Sequence, residues 1–355
     1  MNHYKKQIFI TFLAGIMFCQ LAAAEPTGER LKNLAEPLGI LIGFAAPNNF
    51  TVMSDSIVYQ QVAASEFNLV TPENAMKLDA IVPSEGQYNF GNGDILVRFA
   101  QAYGMQVHGH TLIWHSAQPR WLTILNRDML IDAMNNVIDV ILNHYKGQIL
   151  AWDVVNEAFN EDGTYRASFW NNTIGEDYID RAFLRCRQAD PAAKLFYNDY
   201  NIEEINQKSD GVYKMVRSMI LRGIPIDGIG IQMHITDQGI DYQSFADNMA
   251  RFAALGLEIY ISEMDVRIPV GYNVEIDLEH QAEIYREVIQ RCVAQPACKA
   301  IQFWGIPDKY SWVPSVFPGT GVPLLFDDDY NAKPAYYAVQ EVLADATPIP
   351  TPGPV

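Results

Sequence analysis

Short apolar runs rich in β-branched and aromatic residues alternate with longer amphipathic stretches from Gly39 almost to the end of the chain. The runs at 39–45, 69–72, 105–112, 149–155, 194–197, 228–233, 257–261 and 299–303 read as strands. Between them, 94–103, 127–145, 177–188, 209–222, 242–255, 278–294 and 334–343 carry a helical period. Gly104, Gly147, Gly223 and Gly256 stand where a left-handed residue ends a helix. Strict alternation of this kind makes a parallel sheet, and eight strands close it. The predicted fold is α/β, a (β/α)8 TIM barrel, as a single domain over 25–346. An open doubly wound sheet would want a Gly-rich phosphate loop opening its first helix, and the chain has none there.

The two ends follow a different logic. Lys5 and Lys6 precede an apolar stretch over 8–23 that ends Ala22-Ala23-Ala24, which predicts a signal peptide over 1–24. The stretch is short for a membrane span, and Ile16-Met17-Phe18 before Cys19 lacks the small residue of a lipoprotein site. An exported protein, secreted or periplasmic, is therefore expected, with no membrane attachment after cleavage. The tail 347–355 (TPIPTPGPV) is Pro-rich and reads as disordered. No appended binding module is expected.

The formal charge is −17, and loss of Lys5 and Lys6 with the signal makes it two units more negative. That excess argues against nucleic-acid or anionic-membrane partners and suits a soluble protein acting on a neutral substrate. A monomer is expected. Cys292 and Cys298 bracket a turn-like VAQPA segment, so an oxidising compartment permits a local disulfide there. Cys186, inside a helical pattern, reads as a buried free thiol.

Glu157 and Glu263 each end an apolar run, on the predicted fourth and seventh strands. Barrel enzymes keep their chemistry at the carboxyl ends of strands, and two carboxylates facing one cleft are what glycoside hydrolysis needs: one donates a proton to the leaving oxygen, the other attacks or stabilises the sugar cation. Asn156 directly precedes Glu157. Gln232 and His234 lie two residues apart on the sixth strand and so point the same way; His234 can hold Glu263 in place while Asp265 orients the imidazole. His108-Gly109-His110, followed by His115, resembles a metal-binding pair, but such a site needs further ligands at other strand ends, and apart from His234 the remaining histidines lie in the signal (His3) or on helical stretches (His144, His280). Neither a metal nor any other cofactor is expected, and His110 is assigned to sugar hydrogen bonding. Trp114, Trp304 and Trp312 fall where an indole could stack on a sugar, whereas Trp152 and Trp170 are assigned to the core.

These segments also resemble glycoside hydrolase family 10, the endo-β-1,4-xylanases. The resemblance runs through ENAMK at 73–77, GHTLIWH at 109–115, WDVVNEA at 152–158, NDYN at 198–201, GIGIQMH at 228–234, ISEMD at 261–265, WGIPDKYSW at 304–312, and LLFD with KPAYYA near the end. It implies an eightfold barrel and a retaining double displacement on xylan and xylo-oligosaccharides, with Glu157 as acid/base and Glu263 as nucleophile. It further implies that Glu73, Asn74, Lys77, His110, Trp114, Asn156, Gln232, His234, Trp304 and Trp312 line the sugar subsites, that Asp265 and Tyr200 support them, and that Cys292 and Cys298 are bonded. Two positions depart from the family pattern: Leu78 stands where an aromatic is usual, and Ala117 where Gln is usual, with Gln118 one residue later. A related β-1,4-glucanase or mannanase would usually carry Asn-Glu-Pro where this chain has Asn156-Glu157-Ala158. A retired, merely sugar-binding barrel should have lost one of the glutamates.

Overall fold

Eight strands pair in parallel in chain order: β1 (Leu41–Ala46), β2 (Leu69–Pro72), β3 (Gln106–Gly109), β4 (Ala151–Asn156), β5 (Lys194–Asp199), β6 (Gly228–Ile231), β7 (Glu258–Pro269) and β8 (Cys298–Phe303). β8 pairs with β7 on one side and with β1 on the other, which closes the barrel the alternation predicts. This is seen in a computed structural model that describes residues 26–271 and 274–347. The predicted signal peptide, and the tail beyond Thr347, lie outside the described residues.

One long helix follows each strand: α1 (Ser56–Glu66), α2 (Gly91–Ala102), α3 (Arg127–Tyr145), α4 (Tyr178–Ala189), α5 (Gln207–Leu221), α6 (Tyr242–Ala253), α7 (Val274–Val293) and α8 (Pro334–Asp345). Side-chain caps fix several starts. Asn126 accepts from Met129 N, Asn206 forms a reciprocal box with Ser209, and Asp241 accepts from Gln243 N and Ser244 N. Gly104, Gly147, Gly223 and Gly256 all take positive φ past their helices. The main core lies between helices and strands. Trp152 and Trp170 are fully buried there, as assigned, and Cys186 is buried and free.

The inside of the barrel changes character along its axis. Its floor is an apolar plug of Leu69, Ala151, Phe196, Tyr260 and Ala300. Above the plug runs a fully bonded polar chain: Thr71 donates to Gln302, the Gln302 amide donates to His108 Nδ1 at 2.8 Å, and His108 Nε2–H donates to Asp153 at 3.0 Å. The step from Ala151 to Asp153, two residues along one strand face, is where floor becomes functional rim.

Three strands differ from expectation. β6 ends at Ile231 rather than Met233; Met233 takes φ 66° and His234 opens a separate short segment, so Gln232 and His234 do not share one regular strand. β3 ends at Gly109, and Ile113–Trp114 forms a separate short segment paired with β4. β7 runs eight residues past Ile261, so Glu263 lies inside the strand rather than at its end. The extension is stabilised above the rim by new pairing, with His234–Thr236 on one side and Thr320–Gly321 on the other. Below, the Cys292–Cys298 disulfide ties the end of α7 to the start of β8.

Candidate active site

Glu157 follows directly on β4 with its backbone in the left-handed region, at φ 57°. A non-glycine residue held there costs on the order of 1–3 kcal/mol, so its surroundings must over-determine it. They do: Glu157 N donates to Asn198 O, Arg166 Nε donates to Glu157 O at 3.0 Å, and the next amide, Ala158 N, donates to Tyr197 Oη at 2.9 Å. Tyr197 in turn donates to Asp199 at 2.5 Å, and Asp199 pairs with Lys208 at 3.0 Å. Burial outweighs that lysine and pushes the Asp199 carboxyl up to about 7. The Glu157 carboxylate accepts from Trp114 Nε1 at 2.8 Å, Gln232 Nε2 at 3.1 Å and Asn156 Nδ2 at 3.3 Å.

Glu263 sits across the cleft among different partners. Asn198 Nδ2 donates to its Oε1 at 2.6 Å, and His234 Nε2 lies 3.3 Å from its Oε2. The same Asn198 amide also donates to Asn156 Oδ1 at 2.9 Å, so one side-chain amide chain links the settings of both glutamates. Asn198 fits because residue 230 is glycine: a Cβ there would lie 2.1 Å from Asn198 Oδ1. His234 Nδ1 lies 3.0 Å from Asp265 Oδ2, an ion-pair distance off the line of a good hydrogen bond, while Trp312 Nε1 donates to that same oxygen at 2.7 Å. Burial opposes a charged imidazole, but Asp265 and then Glu263 outweigh it and raise His234 to about 10. Burial likewise works against the Glu263 carboxylate; the His234 hydrogen bond and the nearby His110 and His234 charges overcome it and hold the carboxyl below its ordinary value.

His108 and His110 turn inward and clamp one buried carboxylate, with His110 Nδ1 2.8 Å from Asp153 Oδ2. Burial raises and the two imidazoles more than lower the Asp153 carboxyl, to about 2. Both rings therefore commit a nitrogen to Asp153. His110 still borders the cleft and meets the Trp304 ring edge-on at 5.3 Å.

The cleft between the glutamates has a volume of about 630 Å³. Its walls bring together Glu73, Asn74, Lys77, His110, Trp114, Asn156, Gln232, His234, Trp304 and Trp312, every residue assigned to the subsites from sequence, with Tyr200. Asp265 stands behind His234. Burial pushes the Glu73 carboxyl up and the Lys77 ammonium down. Cleft-bordering residues not singled out from sequence are Asn201, Arg267 and Phe317; Asp153, Arg166 and Asn198 act from behind. Asp153 had a readable signal, an acid in an apolar strand two residues from a buried alanine. Phe317 had none, because its place depends on how a loop folds back.

The sequence profile of glycosyl hydrolase family 10 matches residues 30–342. The chain belongs to that family. Endo-1,4-beta-xylanase B of Thermotoga neapolitana is 50% identical over 317 residues, covering 89% of this chain and 92% of its own length. Xylanase 10B of Thermotoga petrophila, solved with xylobiose, superposes with a TM-score of 0.88 at 51% identity, covering 90% of this chain and 98% of its own. An intracellular xylanase of Thermoanaerobacterium saccharolyticum superposes at 0.82 with 34% identity, covering 89% of this chain and 99% of its own. Against the family 10 pattern, Leu78 is buried at the start of a short helix. Gln118 does not stand in for the glutamine missing at Ala117, since its amide donates to His115 O at 2.7 Å.

Proposed function

We propose that this protein is a retaining endo-1,4-β-xylanase that cuts internal β-1,4-xylosidic bonds of xylan by double displacement. The observation that carries the reading is the contrast between two carboxylates facing one cleft: Glu263 is kept ionised beside a charged imidazole at 3.3 Å, while Glu157 accepts hydrogen bonds from neutral amide and indole donors, with His115 Nδ1 farther off at 3.8 Å. Glu263 attacks the anomeric carbon as Glu157 gives its proton to the departing glycosidic oxygen, leaving a covalent xylosyl-enzyme ester. Glu157, now a carboxylate, takes a proton from water as that water attacks the same carbon and expels Glu263, which restores the β configuration. The indoles of Trp114, Trp304 and Trp312 present faces and edges on which the apolar side of a sugar can stack, and Asn74, Lys77, His110 and Gln232 supply hydrogen-bonding groups.

The catalytic unit proposed is one domain over 25–346 acting as a monomer without cofactor. Among the described residues no helix is long and apolar enough to cross a membrane. Export rests on the basic, apolar and small-residue order of 1–24 and is supported by the Cys292–Cys298 bond, which suits an oxidising compartment. The test is a product profile on xylan, carboxymethylcellulose and mannan, with the first product followed by NMR. Xylo-oligosaccharides released as the β-anomer from xylan are expected. Faster cleavage of either other polymer, or an initial α-anomer, overturns the reading.

A further inference from the structure

We propose that Arg267 binds a carboxylate carried on a side branch of the substrate, so that within the xylanase reading on which this rests, uronic-acid-bearing xylan is preferred over its uncharged counterpart. Two lysine or arginine side chains border the cleft, Lys77 and Arg267. Lys77 is committed, since its ammonium donates to Asn74 Oδ1 at 2.9 Å and lies among Glu263, Glu73 and Glu157. Arg267 makes no side-chain hydrogen bond and no ion pair among the described residues, and its guanidinium lies over the Phe317 ring at 4.1 Å. Scarcity of acids does not explain this. Acidic residues outnumber basic ones 42 to 25, and Arg185, Arg187, Arg222 and Arg251 each hold an aspartate.

The placement gives that free cation a use. On the extended part of β7, Met264, Val266 and Ile268 are buried in the core, while Glu263, Asp265 and Arg267 alternate with them. Arg267 is thus one step beyond the Asp265–His234 pair that supports Glu263, and its ladder partner is Thr236. Phe317 in turn packs edge-on against Trp312 at 5.5 Å, so the cation belongs to the same wall as the subsite tryptophan. A guanidinium resting on a ring keeps its N–H edge open in a plane that matches a carboxylate's two oxygens. The unbranched xylose backbone carries no charge to use it. In a molecule whose net charge repels acidic polymers, a cation on the cleft wall with no carboxylate partner among the described residues favours an acidic branch.

The test compares glucuronoxylan with the same polymer after its carboxyl groups are reduced to primary alcohols, and reads the ratio of kcat/KM between them. The ratio should exceed one for the native protein, fall with added salt, and drop by roughly ten-fold in Arg267→Met, with Arg267→Lys between, since the charge remains and the fork is lost. A native ratio of one overturns the proposal, as does a ratio unchanged in Arg267→Met; if that variant fails to fold, Arg267→Lys and the salt series on the native protein decide. Linear xylo-oligosaccharides run alongside: failure of the native protein to cleave them refutes the xylanase reading itself, whereas cleavage of them without a carboxylate preference refutes only the role of Arg267.

Discussion

Glu157 and Glu263 are the same residue type given different tasks by their neighbours. Because Glu157 is proposed to act as the acid, Glu157→Ala should lose nearly all activity on xylan yet keep much of it on aryl xylosides with strongly acidic leaving groups, which need little protonation. Azide should then speed the second step and appear in a β-glycosyl azide; a β-glycosyl azide from Glu263→Ala instead would reverse the assignment. His234 tests the other side. Its hydrogen bond is the strongest influence holding Glu263 down, so His234→Asn should move the acid limb of kcat/KM upward in pH, because a carboxyl released from the imidazolium protonates sooner. An acid limb left in place would show that Asn198 and His110 suffice to keep Glu263 ionised.

At the scale of elements, the barrel was legible because strands covered by helices on one side and a filled interior on the other must be short, apolar and evenly spaced. The same rule concealed the outer half of β7. The apolar run ends at Ile261, yet Glu263-Met264-Asp265-Val266-Arg267-Ile268 alternates strictly, the period of a half-buried strand. The candidate site was legible where chemistry shows in residue type, as with the glutamates, His234 and the tryptophans. It was not legible where a residue works through space left by another. Gly230 is such a case, an ordinary apolar-strand glycine whose missing Cβ makes room for Asn198. Gly230→Ala should push Asn198 off both Asn156 and Glu263, costing about 1–3 kcal/mol of stability and about ten-fold or more in kcat. A variant with native kcat would show that Asn198 can move without consequence for Glu263.

Over the whole molecule, the closed barrel still has to fasten its two chain ends. Glu66, buried at the end of α1, accepts from Leu31 N and Arg30 near the beginning and from Tyr336 Oη on α8. Two groups of the catalytic face contribute to the dependence of stability on pH in opposite directions. The Asp153 carboxyl moves from an ordinary 3.8 down to about 2 in the folded protein, so its contribution is complete above about pH 4 and lost as pH falls through 2. The His234 imidazole moves the opposite way, from 6.5 up to about 10, so its contribution is complete below about pH 6.5 and lost as pH rises through 10. Both are fully present only between about pH 4 and 6.5; the Asp199 carboxyl, raised from 3.8 to about 7, makes a contribution of its own that is lost as pH rises through 7. His234→Gln removes the second group without touching Asp153. Its Tm should start lower and decline less between pH 6.5 and 10 than that of the native protein. Parallel alkaline slopes for the two proteins, measured by calorimetry in matched salt, would mean that the excess negative charge of the whole chain, and not His234, sets the alkaline limit.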